Sequence, residues 1–142
     1  INFFGKRQDG LLIHADNFCQ EEIKNLIRSH QNRPKKCLIT MMTFKTDSPS
    51  SCGIVEVDKN NIVQNFYEKE KNPPGNLANG AIYVLSKEFI SNYTKSFFDA
   101  VDFSLDVLPR LNGKIFTFHT SLKLVDIGTL KNYYQLQNEL RP

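Results

Sequence analysis

The chain has 142 residues, 40% of them hydrophobic and 23% charged, with a formal net charge of +3. This is the length of one ordinary domain with enough apolar residues to fill a core. The basic residues are scattered and no stripe of them interleaves with aromatics, which argues against nucleic acid as a partner.

No apolar run reaches the length of a membrane span and no signal-peptide pattern opens the chain, so no membrane partner is expected. Three cysteines, Cys19, Cys37 and Cys52, match no zinc-site spacing and read as reduced thiols of a cytoplasmic protein. Residues 1 to 9 read as the end of one element followed by a polar turn, and a start at Ile1 suggests a chain whose natural beginning lies upstream.

The first clear element is a short apolar strand at Leu11–His14, which runs into Asp16 and Asn17 before a helical pattern from Gln20. A strand feeding a helix is the βα unit of a parallel sheet. Ligands gather at the carboxyl ends of such strands, which marks Asp16 as a candidate for chemistry. The competing reading is that Asp16 or Asn17 caps the helix. Ile23, Leu26, Ile27 and His30 recur at helical spacing, with His30 expected to be packed, and Pro34 stops the helix.

Cys37–Phe44 is a nearly continuous apolar run, as expected for a strand covered on both faces of a parallel sheet. Gly53–Val57 and Ile62–Tyr67, split by Asp58-Lys-Asn-Asn61, predict a hairpin. The charge run Glu68–Lys71 follows, then a connector Asn72–Gly75 and a further strand at Asn79–Leu85. Ser86 is placed to cap a short helix carrying Phe89, Ile90 and Tyr93. Asp102–Leu111 reads as a helical segment interrupted by Pro109. Strands at Lys114–His119 and Leu122–Val125 precede Asp126-Ile-Gly-Thr129 and a last helix with Tyr133, Leu136 and Leu140 on one face.

Asp16 and Asp126 therefore stand in parallel, each at the end of a strand and ahead of a helix. If both strands belong to one sheet, the two carboxylates meet above its edge. Two hard oxygen ligands with open positions suit Mg²⁺, which keeps waters and completes its shell with substrate phosphates. The alternative is that Asp126 and Thr129 cap the last helix.

Five segments in order carry a resemblance. Leu12-Ile-His-Ala-Asp-Asn17, Cys52-Gly-Ile-Val-Glu-Val-Asp58, Phe66-Tyr-Glu-Lys69, Ala78-Asn-Gly-Ala-Ile-Tyr83 and Val125-Asp-Ile-Gly-Thr129 resemble the sugar-phosphate nucleotidyltransferases, nearest to the mannose-1-phosphate and heptose-1-phosphate guanylyltransferases. Asp102-Phe-Ser-Leu-Asp-Val-Leu-Pro109 also resembles the family's segment before its last strands. The resemblance implies that Asp16 and Asp126 bind a catalytic magnesium, that Glu68 holds sugar hydroxyls and Lys69 the sugar phosphate, and that Gly53, Asn79 and Gly80 line the sugar. Ala15 stands where the family has glycine, and Glu70 where it has proline.

The implied reaction joins a sugar 1-phosphate to a nucleoside triphosphate, GTP favoured, and releases pyrophosphate. Catalysis of that kind rests on positioning and charge neutralisation. The family's glycine-rich Gly-Gly-x-Gly-Thr-Arg nucleotide loop is absent from residues 1–142. Residues 1–142 are thus expected to form the sugar- and metal-binding portion of one nucleotidyltransferase domain, inactive alone. The expected fold is an α/β three-layer sandwich, a mostly parallel Rossmann-like sheet with a β-hairpin excursion. An uncovered sheet edge favours association, including a homo-oligomer. The second functional reading is a catalytically silent sugar-nucleotide-binding regulator or scaffold. A glycosyltransferase ranks last, because the chain has no Asp-x-Asp motif.

Overall fold

The structure is a computed structural model that describes residues 8–141. The expectation for the opening segment lies largely outside them. The described strands are β1 (Gly10–Ile13), β2 (Asn17–Cys19), β3 (Ile39–Lys45), β4 (Gly53–Val57), β5 (Val63–Glu68), β6 (Leu77–Leu85), β7 (Ile115–His119) and β8 (Leu124–Asp126). Two regular helices, α1 (Ile23–Gln31) and α2 (Leu130–Leu140), accompany them. Single-turn helical pieces occupy Phe89–Tyr93, Thr94–Phe97, Phe103–Val107 and Pro109–Leu111. No helix is long and apolar enough to cross a membrane among the described residues.

Six strands form the main sheet in the order β5-β4-β6-β3-β7, with β1 also paired to β6. Only β3 with β7 runs parallel among the described pairs; every other pairing in the sheet is antiparallel. The mostly parallel, Rossmann-like expectation is therefore corrected to a mixed, mostly antiparallel sheet within an α/β fold. The physical reason is the place of β6. β1 and β3 do point the same way, but β6 lies between them and opposes both. The apolar run in β3 reported burial on both faces correctly; burial says nothing about a neighbour's direction.

β6 changes partner along its length. Its first half reaches β4 through Ile54↔Ala78, and its second half pairs with β1 from Ile82↔Ile13 to Leu85↔Gly10. The break falls at Ala81, which has a positive φ of 51° and donates its N–H to Asn79 Oδ1 at 3.0 Å. The register of β3 against β6 slips at the same level, between Met41 and Thr43. A bulge of this kind re-aims side chains near a site. At the far side the sheet curls until its ends meet: Ile62 bridges Phe116, and Thr117 N–H donates to Asn61 O at 2.8 Å.

Alternation along β3 and β6 sends side chains to two separate cores. Met41, Tyr83 and Leu85 face the helical pieces between residues 89 and 111, while Met42, Ile82 and Val84 face Leu26 of α1. Helical elements thus cover both faces, as expected. The β4–β5 hairpin forms as expected too, its turn held by Asp58 Oδ1, which accepts from Asn60 and Ile62 N–H at 2.8 and 3.0 Å, with Asn61 at φ 59°. Ser86 Oγ caps the helical turn after β6 by accepting from Phe89 N–H. His30 is fully buried at the end of α1, its Nδ1 2.8 Å from Thr40 Oγ1, as a packed histidine and not a ligand.

Candidate active site

The strand after Asp16 decides its surroundings. No helix follows Asp16 directly: β2 intervenes, and α1 starts only at Ile23, so neither Asp16 nor Asn17 caps it. Three residues are too few to show a period, which is why β2 was not legible. β2 pairs antiparallel with β8 so that Asn17 lies opposite Asp126, and Ile127 N–H donates to Asp16 O at 2.7 Å. This small two-stranded sheet brings residues from opposite ends of the chain side by side.

Their carboxylates converge over Gly128. A Cβ placed on Gly128 would stand 2.9 Å from Asp16 Oδ2 and 3.0 Å from Asp126 Oδ1, so the glycine leaves room that any side chain would take. Asp126 Oδ1 accepts from Gly128 N–H at 2.7 Å. The last helix is capped by Thr129, whose Oγ1 accepts from Asn132 N–H at 3.2 Å; Asp126 is not its cap. Both aspartates are exposed. Two solvent-facing carboxylates with free lone pairs match a cation that keeps waters and takes further oxygens from a phosphate ligand. No group of three or more potential ligands occurs among the described residues, so a cation here depends on such outside oxygens.

Asn17 ties this corner to the bulge in β6, its Nδ2 donating to Gly80 O at 3.0 Å. Next to the bulge, Asn79 Nδ2 donates to the hydroxyl of Tyr83 at 2.7 Å. Tyr83 is fully buried, and burial pushes its phenol up to about 12 despite hydrogen bonds to Asn79 and Ser104. Gly80 itself is packed: an added Cβ would meet Leu124 Cδ1 at 2.9 Å and Met42 O at 3.0 Å.

Glu68 ends β5 opposite Gly53. Burial raises its carboxyl above the usual range; Lys69 and His14 pull it down, and the charge of Asp102 adds to the rise. These four residues, contributed by β5, the end of β1 and the cap of the Phe103–Val107 turn, therefore share one electrostatic environment. Lys69 is exposed, adopts φ 50° and donates its N–H to Cys52 O at 3.2 Å. Glu70 matters here, since a proline at position 70 would push residue 69 toward extended backbone.

Gly53 has no room for a side chain. A Cβ would lie 2.6 Å from Glu68 Oε2 and 2.7 Å from Phe66 Cζ. Gly53→Ala is expected to cost about 1–3 kcal/mol, as overpacking does, and to swing Glu68 out of place. Chemical denaturation of the two proteins measures the first effect; an unchanged midpoint would show that the contact relaxes freely.

The sequence-based candidates Asp16, Asp126, Gly53, Glu68, Lys69, Asn79 and Gly80 all fall along the rim formed by the ends of β1, β5 and β8 and the bulge of β6. Sequence reading passed over Asn17 as a tether, and His14, Tyr83, Asp102 and Ser104 as neighbours. The lone hydroxyl of Tyr83 inside an apolar strand was the signal that could have found it, because a buried phenol needs a partner.

A family model described as Nucleotidyl transferase matches residues 1–141. The chain belongs to the nucleotidyl transferase family. Among similar proteins, a glucose-1-phosphate adenylyltransferase of Lachnospira eligens is 27% identical over 135 residues, covering 92% of this chain and 32% of that protein. One from Thermotoga maritima is 28% identical over 141 residues, with coverage of 92% and 33%. This nucleotidyl transferase chain thus spans about a third of the length of the curated relatives it matches. The solved structure of HddC from Yersinia pseudotuberculosis complexed with GMP-PN superposes with a TM-score of 0.72 at 25% identity, over 94% of this chain and 56% of that one. A Bacillus anthracis structure assigned as a glucose-1-phosphate thymidylyltransferase, 17% identical with a TM-score of 0.75, covers 95% of this chain and 55% of its own and shows the shared fold.

Proposed function

We propose that this chain supplies the sugar- and metal-binding portion of an enzyme that joins a sugar 1-phosphate to a nucleoside triphosphate and releases pyrophosphate. The observation that carries the reading is the meeting of Asp16 and Asp126 over Gly128 in a nucleotidyl transferase chain. Asp16 and Asp126 would hold Mg²⁺, which supplies neutralisation of phosphate charge when bound. Glu68 accepts hydrogen bonds from sugar hydroxyls, and its partial burial strengthens those bonds. Lys69 presents a point charge to the sugar phosphate. Gly53, Asn79 and Gly80 shape the sugar's wall: Gly53 lets Glu68 and Phe66 pack close against β4, Gly80 lets Leu124 and Met42 close up behind the bulge, and Asn79 is held by Tyr83. The sugar-phosphate oxygen attacks the α-phosphate, pyrophosphate leaves, and no enzyme group is modified, so orientation carries the rate.

GTP is placed first among nucleotides, on the resemblance to guanylyltransferases and the likeness to a structure complexed with GMP-PN. ATP follows, because the curated relatives are named as adenylyltransferases. The deciding experiment is pyrophosphate release by the complete protein with Mg²⁺ and a panel of sugar 1-phosphates and triphosphates. Turnover with one pair identifies both substrates, and silence from a folded protein across the panel rejects the enzyme. Replacing Lys69 by Ala is expected to weaken apparent sugar-phosphate affinity by about 10- to 100-fold, the worth of a charge-assisted contact. Titration of the sugar phosphate into both forms reads this directly; equal affinity would remove Lys69 from that role.

A further inference from the structure

A cavity of about 470 Å³ adjoins the metal end of the site, between the loop 46–52, strand β8 and helix α2. Phe44, Leu124 and Leu136 give it an apolar lining. Two other residues of its wall are bonded to the candidate site. Cys52 O accepts from Lys69 N–H at 3.2 Å, and Asn132 Nδ2 donates to Asp126 O at 2.9 Å. Asp126 itself borders the cavity. Leu124 stands between the cavity and the bulge, since a Cβ on Gly80 would lie 2.9 Å from its Cδ1.

The polar lining selects the chemistry of a ligand. Asn132 and Gln135 each donate to a pure acceptor, Asp126 O and Glu139 Oε1, which fixes both amides and leaves their oxygens to accept. On the facing loop, Thr46 Oγ1 accepts from Ser48 N–H at 3.1 Å, so its own proton remains to donate. Lys123 supplies the positive charge of the lining and is paired with Glu139, while Asp126 adds a further carboxylate. A phosphate or carboxylate entering here would meet net negative charge. A neutral group rich in hydroxyls would find donors, acceptors and an apolar floor together.

We propose that this cavity receives a neutral, hydroxyl-rich extension of the sugar 1-phosphate, so that the preferred substrate is larger than a hexose. The inference deepens the proposed function and rests on it for the phosphate end of the ligand. A bare hexose held between Glu68 and the aspartate pair leaves the amide oxygens of Asn132 and Gln135 to solvent. An extension hydrogen-bonds to them and packs its carbons on Leu124 and Leu136. The facing loop is already held: Ser51 N–H and Oγ both donate to Ser48 O, at 3.1 and 2.8 Å, and Thr46 N–H donates to Asn76 O at 3.0 Å. Little ordering therefore opposes binding. A longer carbon chain and a second sugar ring bring the same hydroxyl chemistry, and the test separates them.

Isothermal titration of the complete protein in Mg²⁺ compares a manno-configured heptose 1-phosphate with mannose 1-phosphate, and maltose 1-phosphate with glucose 1-phosphate. Pyrophosphate release is measured beside it. One extended sugar is expected to bind at least tenfold more tightly than its hexose, about the worth of one or two net hydrogen bonds. Gln135→Trp on α2 and Ser48→Phe on the loop narrow the cavity from opposite sides. Both residues are exposed, so thermal unfolding should change little, and each substitution should remove the preference. Hexose binding as tight as that of both extended sugars overturns the proposal, as does a preference that survives both substitutions. Binding of none of the four ligands rejects the sugar-phosphate reading and the inference with it. A preferred extended sugar that yields no pyrophosphate with any triphosphate upholds the cavity's role and rejects the catalytic reading.

Discussion

Asp16→Asn, and separately Asp126→Asn, in the complete protein are expected to lower turnover by about 10³-fold, the scale of losing a preorganised charge-stabilising group. Each substitution removes a negative charge from the pair over Gly128 but keeps the side chain's size. Both residues are exposed; Asp16 O with Ile127 N–H and Asn132 Nδ2 with Asp126 O do not use the carboxylates, and the bond that Asp126 Oδ1 accepts from Gly128 N–H can be accepted by an asparagine's Oδ1 as well. Stability should therefore change little. Pyrophosphate release measured beside thermal unfolding separates the two effects. A variant with near-normal turnover would take that residue out of the metal role, whereas lost turnover with a lowered melting temperature would point to a structural part.

Acid should destabilise the fold through His30. Burial, helped by the charge of Arg33 and opposed by Asp9 and Glu88, depresses its pKa from 6.5 to about 4. Its Nε2 is buried with no hydrogen-bond partner among the described residues, and Asp9 Oδ2 stands 3.6 Å away. A neutral folded-state imidazole contributes its full stability above the unfolded-state pKa of about 6.5. Between that value and about 4 the unfolded chain takes up the proton first, and stability falls as pH falls. The loss across the window is about 3 kcal/mol at 1.36 kcal/mol per pKa unit. Denaturant unfolding at pH 7 and pH 4 tests it, with His30→Gln as the comparison. Subtracting the variant's pH dependence removes the contribution of the carboxylates, and identical dependences in the two proteins would exclude His30.

The elements that were legible in the sequence are those with long or punctuated patterns. The hairpin showed through Asp58-Lys-Asn-Asn61, α1 through its apolar stripe, and β3 through its unbroken apolar run. Strand direction was not legible, because side-chain alternation is the same whichever way a neighbour runs. Nothing in the residues of β6 announces that it enters between β1 and β3. The pairing of Asp16 with Asp126 was visible as two like strand ends, yet the contact that joins them is made by a three-residue strand with no period to read. At the last helix the sequence offered Thr129 and Asp126 as joint caps; the structure gives the cap to Thr129 and turns Asp126 toward Asp16. Asn79 was legible only through the resemblance. Its bond to a buried tyrosine four residues on depends on the bulge at Ala81, which no local signal foretells.

The position of β6 also sets an order of events during synthesis. β1, β3 and β4 all wait for one strand that leaves the ribosome after them. At about 5–20 residues per second, several seconds separate the emergence of β1 from that of its partner. For that interval Leu11–Ile13 and the apolar run of β3 stand unpaired on the nascent chain, open to each other and to other chains. Ribosome-associated chaperones would have most to shield before residue 85, and little local structure beyond the β4–β5 hairpin can form earlier. Once β6 arrives it meets β4, β1 and β3 together, which favours joining of these strands in one cooperative step, with β7 added to the free side of β3 afterwards.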